Sequence, residues 1–493
     1  LNNLNIFSTL PTFKEKFSYI KALAGAGKTY TMIHEAVKRA ARTRQKFVII
    51  QPTVLLVEES FWKAENAKAA LPEFEQRRIK ISRIHGDESD SVSVDIKDHL
   101  EDSIEGTKGE VLLITQQSFL KLPYFPGAKS WTLVVDEVIQ LDTLHSFHFQ
   151  KFEHIINDNI TVSPFDDNHY LVTATNITEL ERIAASRHKE TAATAFANFA
   201  NDLLSPHMLV LCKKSQWDKL LTKDDGEDSY TLDYHSALLP SAMVGFKEVI
   251  FMSAMFDESL IHVWWSRLGV EFNQHSLSHI LTEERHSFSG RVKILCYTED
   301  LHWSKSLMDT KAADGRFLID HYISAIEQRM KGKDYLWAAN NDLDEHTSLT
   351  LKGRRMPVLS HGLNCYDDRS HIAFLCALNR TPSQYSFLAS IGIEDHEVDR
   401  ATACAAAYQS VMRSSLRNRN STEQTTIIVP DLTTAAYLYY YFDCDLDDFE
   451  YMTEFPRMAE PKKNGRPTIG DEPMTAAERK RRSREKQKAK KAA

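Results

Sequence analysis

The sequence predicts an α/β protein: two parallel-sheet domains in tandem, an inserted, mainly helical subdomain within the first, and a disordered basic C-terminal tail. Two observations carry that prediction. Near-continuous apolar runs recur before residue 255 and again after residue 290, with helical stretches between them. Unbroken rather than alternating runs are what parallel strands covered on both faces require. The second observation is length, since 493 residues suffice for two or three domains, each with its own core.

In chain order, the strand candidates of the first domain are "FSYIKA" (17–22), "FVIIQ" (47–51), "VLLIT" (111–115), "TLVVDE" (132–137) and "VIFMSA" (249–254). After the first of them, Met32, Ile33, Ala36, Val37 and Ala40 fall on one helical face, so a loop at 22–29 joins a strand to a helix. Roughly a hundred residues separate "DEVIQ" from "VIFMSA", too many for a simple loop. Helical character over 178–222 and the acidic break "KDDGEDS" mark this stretch as an insertion. The second domain offers "RVKILCY" (291–297), "DYLWAA" (334–339), "MPVLSH" (356–361), "HIAFLCAL" (371–378) and "TTIIVP" (425–430), with helices expected around 314–330, 382–391, 396–418 and 432–442. The boundaries read as 1–140 plus 241–280 for the first domain, 141–240 for the insertion, 281–455 for the second domain and 456–493 for the tail.

Charge is uneven. Residues 461–493 hold 12 Lys+Arg and 4 Asp+Glu, a net of +8, so a chain totalling −8 leaves −16 on its other 460 residues. An acidic body argues against coating nucleic acid with the whole surface, and fits a local channel or a gripping tail. Within the tail, "KNGRP" (463–467) resembles the AT-hook core that lays arginine into a minor groove, and "AERKRRSREKQKAKK" (477–491) is a basic block, although a flexible basic linker is the plainer reading of both. No apolar run of membrane-spanning length and no leader pattern appears, so a soluble, cytoplasmic protein is expected. Six scattered cysteines without a C-x-x-C pair suggest buried free thiols, and His145, His148 and His154 lack a carboxylate or cysteine at ligand spacing.

Chemistry concentrates in "KALAGAGKTYTM" (21–32), which meets the pattern G-x-x-x-x-G-K-[ST] with Ala22 in the first glycine slot. In a loop between strand and helix, Ala24, Gly25, Ala26 and Gly27 would turn backbone N–H groups inward around an anion, aided by the helix N-terminus. Lys28 would reach the β- and γ-phosphates of ATP and the Thr29 hydroxyl would ligate Mg2+. "WTLVVDEVIQ", about 107 residues on, ends a strand on Asp136 for the magnesium shell and Glu137 to polarise the attacking water. Further on, Gln409, Arg413 and Arg417 stand at i, i+4 and i+8 in an Ala-rich segment, so a continuous helix would project all three from one face towards a γ-phosphate.

In order, these motifs resemble superfamily 2 helicases and translocases, the DEAD/DEAH-box-like motors with two RecA-like domains. "ALAGAGKT" is similar to motif I, "QPT" (51–53) to Ia, "ITQQ" around Thr115 to Ic, "DEVI" to II, "SAM" (253–255) to III, "SHGLN" (360–364) to V and "YQSVMRSSLR" to VI. The resemblance implies strand contacts by Pro52, Thr53, Thr115 and Gln116, and coupling of hydrolysis to movement by Ser253 and Ala254. Three departures stand out: Met255 replaces the last threonine of motif III, the final arginine of motif VI falls one residue late at Arg417, and no adenine-reading glutamine precedes the phosphate loop. The expected function is an ATP- and Mg2+-dependent motor on nucleic acid, DNA rather than RNA, with a protein partner possible at the insertion. Two rivals are a nucleotide-gated loading protein without processive unwinding and a DNA-packaging ATPase.

Overall fold

The apolar runs of the first half come together as one sheet in the computed structural model, which describes residues 10–86, 92–122, 124–149, 157–185, 192–221, 230–281, 286–358, 366–418 and 421–459. Strands in chain order are β1 (Lys16–Lys21), β2 (Lys46–Gln51), β3 (Ile79–Ile84), β4 (Gly109–Thr115), β5 (Trp131–Asp136), β6 (Asp142–Phe149), β7 (Ile160–Pro164), β8 (His169–Ala174), β9 (Met208–Lys213), β10 (Tyr230–Leu238), β11 (Glu248–Ser253) and β12 (Glu271–Gln274). The second domain supplies β13 (Val292–Thr298), β14 (Tyr335–Ala338), β15 (Arg354–Met356), β16 (His371–Phe374), β17 (Thr425–Asp431) and β18 (Phe449–Tyr451).

The first sheet is parallel, in the order β12-β1-β11-β5-β2-β4-β3. Its unbroken apolar strands follow from two cores. Phe47, Ile49 and Val134 face the helices Lys28–Thr43 and Val54–Ala69, while Val48, Ile50, Leu133 and Val135 face the other way. Each such side chain, taken from water, contributes roughly 1.5–3 kcal/mol. Register brings Lys21 opposite Ser253, and Met252 opposite Asp136, so the loops after β1, β5 and β11 open on one edge. Ligands of open parallel sheets collect at that carboxyl edge.

The second sheet, β15-β14-β16-β17-β13-β18, is likewise parallel and two-sided: Ile294, Cys296, Ile427 and Val429 join one core, Leu295, Tyr297 and Ile428 the other. Its strand at 354–356 lies earlier than the expected 356–361, and 359–365, with the "SHGLN" motif, fall outside the described residues. The basic tail from 460 onwards and His154 also fall outside them.

The insertion is not mainly helical. Between Asp142 and Leu238 runs a five-stranded antiparallel sheet, β6-β10-β9-β8-β7, with helices Ile177–Ala184, Ala192–Leu204 and Lys214–Leu221. The helical reading of 178–222 overlooked β9, an apolar run set between two helices. In β6 the apolar positions Leu144 and Phe147 are separated by His and Ser, which hides the alternation. His145 pairs with Asp202 at 2.8 Å, and His148 with the Thr231 hydroxyl at 2.8 Å.

A segment of the second domain is rooted in the first. Phe387, Leu388, Ile391, Ile393 and Val398, from helices Pro382–Ser390 and Asp395–Asp399 and the turn between them, share a core with Trp264 and Trp265 of the first domain and Leu211 and Leu238 of the insertion. Arg380 clamps the buried Asp142 with two bonds of 3.0 and 3.2 Å, and His235 bonds Ser383 at 2.9 Å. A π-turn over Arg400–Cys404 then leads into helix Ala405–Val411, whose side chains join the core of the second sheet.

Candidate nucleotide site

The loop after β1 turns through two left-handed glycines, Gly25 (φ 79°) and Gly27 (φ 84°), the latter opening the helix Lys28–Thr43. Gly25 has a second reason to be glycine: a Cβ there would stand 3.0 Å from Cγ of Arg417. Lys28 is buried and its Nζ donates to the carbonyls of Ala22 (3.1 Å) and Leu23 (2.9 Å). Burial pushes its ammonium below the ordinary lysine range, with the carboxylates of Glu137 and Asp136 pulling the other way. Lys28 thus holds a buried ammonium on two loop carbonyls at the start of the helix, where an anion would be favoured.

Thr29 donates its hydroxyl to Asp136, at 3.0 and 3.2 Å from the two carboxylate oxygens. Asp136 is buried at the end of β5, and desolvation first, Glu137 second, raise its pKa to about 6. Donations from Gln51 and Thr29 oppose that shift. Gln51 was not assigned a role from sequence, yet it is buried and donates Nε2 to Asp136 Oδ2 at 2.8 Å and to Ser60 Oγ at 2.8 Å. The signal available was its place, a polar residue closing an apolar strand.

Glu137 departs from the strand in the left-handed region (φ 66°), and its N–H donates to the Met252 carbonyl at 2.9 Å. Such a conformation costs a non-glycine residue roughly 1–2 kcal/mol, and it turns Glu137 off the line of β5. Ser253 donates its hydroxyl to Glu137 Oε2 and to the Ala254 carbonyl, both at 3.1 Å. Met255, where the resemblance would place threonine, is also left-handed (φ 55°).

Gln409, Arg413 and Arg417 do not share one helix. The helix stops at Val411, Arg413 lies in the turn that follows, and Arg417 ends a 3-10 turn over Ser415–Arg417. Ser414 causes the break: its hydroxyl donates to the Val411 carbonyl at 2.7 Å and caps the 3-10 turn by accepting from Leu416 N–H. All three residues nevertheless line one cleft with Gly25, Gly27, Lys28, Thr29, Asp136 and Glu137. Arg413 is half-buried; burial and the neighbouring Arg417 lower its pKa, and Glu137 raises it.

Tyr408, unassigned from sequence, joins the two halves. Its hydroxyl accepts the Ala24 N–H at 3.1 Å and bonds the buried His286 Nε2 at 2.9 Å. Beside it, Glu258 is held by the hydroxyls of Tyr437 (2.7 Å) and Tyr441 (2.9 Å).

The strand-contact candidates stand at the ends of β2 and β4. The Thr53 hydroxyl accepts Leu56 N–H, and that of Thr115 accepts Ser118 N–H, so both oxygens serve as helix caps. Gln116 donates Nε2 to the carbonyls of Asp136 and Glu137, each at 3.0 Å, and Pro52 is half-buried beside Thr53. Among the described residues no group of three or more His, Cys, Asp or Glu forms a separate metal site, and no helix is long and apolar enough to cross a membrane.

Residues 3–184 match a family model described as "Type III restriction enzyme, res subunit". No curated protein matches the chain. Among solved structures, Xpd4 of S. tokodaii aligns at 9% identity and a TM-score of 0.46, covering 91% of this chain and 98% of that one. Dbp5 of S. cerevisiae bound to RNA and ADP BeF3 aligns at 9% identity and a TM-score of 0.38, covering 89% and 85%. The family match thus covers the first part of the chain, which holds the phosphate loop and the Asp136–Glu137 strand end, and both large sheets of the chain are parallel.

Proposed function

We propose that the chain hydrolyses ATP in the cleft between its two parallel-sheet domains and couples the reaction to movement along, or separation of, nucleic acid strands, DNA rather than RNA. One observation carries the reading: Lys28, Thr29, Asp136 and Glu137 of one domain and Gln409, Arg413 and Arg417 of the other line the same cleft.

The residues fit a magnesium-bound nucleoside triphosphate. The left-handed Gly25 and Gly27 curl the loop backbone around the space a phosphate would take at the start of the helix, and Lys28 supplies a buried cation. Thr29 and Asp136, already 3.0 Å apart, would hold Mg2+ between them. When bound, Mg2+ neutralises phosphate charge as the γ-phosphoryl group transfers. Glu137, fixed by Ser253, orients water for in-line attack and takes its proton at a carboxylate oxygen. Arg413 and Arg417 stabilise the charge that spreads over the transferring group. Ser253 and Ala254 lie between Glu137 and Met255, so a shift at Glu137 bears directly on the segment that reaches the second domain through Glu258. Backbone amides at the helix starts after Thr53 and Thr115, with Pro52 and Gln116 framing them, offer contacts to strand phosphates.

Met255 keeps a second reading in play, a nucleotide-gated loading protein, because the hydroxyl that the resemblance expects there is missing. Nucleic-acid-stimulated ATPase assays with single- and double-stranded DNA and RNA, paired with strand displacement, test the proposal. The motor reading requires stimulation with displacement or directional movement; stimulation with neither favours the loader.

A further inference from the structure

Gln51 closes β2 behind the apolar run Phe47, Val48, Ile49 and Ile50, and it is as fully buried as they are, at 0% exposure. Its Nε2 donates to Asp136 Oδ2 and to Ser60 Oγ, each at 2.8 Å, and Ser60 is itself buried on the helix Val54–Ala69. The other amide atom, Oε1, is buried with no hydrogen-bond partner among the described residues. An unpaired buried acceptor carries its full desolvation penalty. Methionine or leucine, of similar size, would spare the strand that penalty. The ionised carboxylate fixes which way the amide faces, because it accepts hydrogen bonds and gives none. The side chain at this position therefore suits Asp136 better than it suits the core.

We propose that Gln51, braced by Ser60, is a positioning residue for the metal site: it holds Oδ2 of Asp136 and so fixes the carboxylate with Oδ1 presented beside Thr29. The inference rests on the magnesium-nucleotide reading above. Thr29 by itself does not set that orientation, since its hydroxyl stands 3.0 Å from Oδ1 and 3.2 Å from Oδ2. The Gln51 amide bonds Oδ2 and is itself held from a second element, the helix that carries Ser60. Partners of this outer kind orient a metal-binding carboxylate, and losing one typically lowers metal affinity about 10- to 100-fold. Gln51 touches no reacting atom; its effect reaches the nucleotide through Asp136.

The test is equilibrium binding of the non-hydrolysable analogue AMP-PNP to the full chain in Mg2+ and in EDTA, the ratio of the two affinities reading the metal's share. Gln51→Met should lower that ratio by about tenfold or more and leave the affinity in EDTA unchanged. Ser60→Ala, which keeps the amide and removes its brace, should lower it less. In an Asp136→Asn background Gln51→Met should change nothing further, because its effect passes through that carboxylate. A wild-type ratio in Gln51→Met, or in Ser60→Ala where Gln51→Met does not fold, would overturn the proposal. An equal loss in the Asp136→Asn background would overturn it too, marking a role in packing alone. A wild-type ratio near one, unmoved by Asp136→Asn, would instead remove the magnesium-nucleotide reading, and the role of Gln51 with it.

Discussion

The Tyr408 hydroxyl accepts the Ala24 N–H at 3.1 Å, so the second domain holds the phosphate-loop backbone of the first through one buried phenol. His286 completes that phenol's bonding at 2.9 Å. Removing the oxygen leaves an amide and an imidazole without this partner, a loss of about 1–3 kcal/mol for a buried polar group. Tyr408→Phe should therefore lower the chemical-denaturation midpoint and raise the KM for ATP. A midpoint and KM matching wild type would mean that the contact carries no load.

Lys28→Ala and Glu137→Gln should separate binding from chemistry. The first removes the buried cation and should abolish nucleotide binding, while the second keeps the loop intact and should trap ATP unhydrolysed. Filter binding with labelled ATP, followed by product analysis, reads both. Glu137→Gln hydrolysing at the wild-type rate would contradict the assignment.

Asp136 gives a pH signature with a definite sign. Its folded pKa is raised from 3.8 to about 6, so between those values the folded state binds a proton that the unfolded state releases. Stability of the nucleotide-free chain should fall as pH rises through that window, then level off above it. Asp136→Asn, neutral throughout, should not show this fall and should exceed wild type in unfolding midpoint at pH 7 while losing hydrolysis. Parallel pH profiles of the two proteins between 4 and 6 would refute the shift.

Arg380 and Asp142 tie the inserted sheet to the second domain. Asp142 is 1% exposed, and burial raises its pKa while Arg380 opposes the shift. Arg380→Ala leaves a buried carboxylate without its cation, a change that typically costs about 3–5 kcal/mol. Arg380→Met combined with Asp142→Leu should recover most of that in equilibrium unfolding. An Arg380→Ala variant as stable as wild type would place the pair outside the load path between insertion and motor.

Much of this was legible because physics left strong marks on the sequence. "FVIIQ" and "TLVVD" are unbroken because Phe47 and Val48, or Val134 and Val135, serve opposite cores. The phosphate loop was readable because its turn requires glycine at Gly25 and Gly27. What escaped depends on distant or competing contacts. Ser414 caps a 3-10 turn and ends the helix that the Ala-rich composition favours, so the arginines reach the cleft by a bend, not by helical spacing. The inserted sheet escaped because β9 lies between two helices and polar residues interrupt β6. Gln51 and Tyr408 became visible only once the fold set them against Asp136 and Ala24, residues 85 and 384 positions away.

The composite cleft is tested most directly by ATP affinity and nucleic-acid-stimulated turnover of Arg413→Ala beside Arg417→Ala. Arg413 borders the cleft from the second domain and has Glu137 among the charges acting on it. An arginine acting on transition-state charge can be worth about 10³–10⁵ in rate. The account predicts near-normal ATP affinity with steeply lowered turnover for Arg413→Ala, and a milder loss for Arg417→Ala. Wild-type turnover in both variants would contradict it, showing that the two domains do not build one catalytic site.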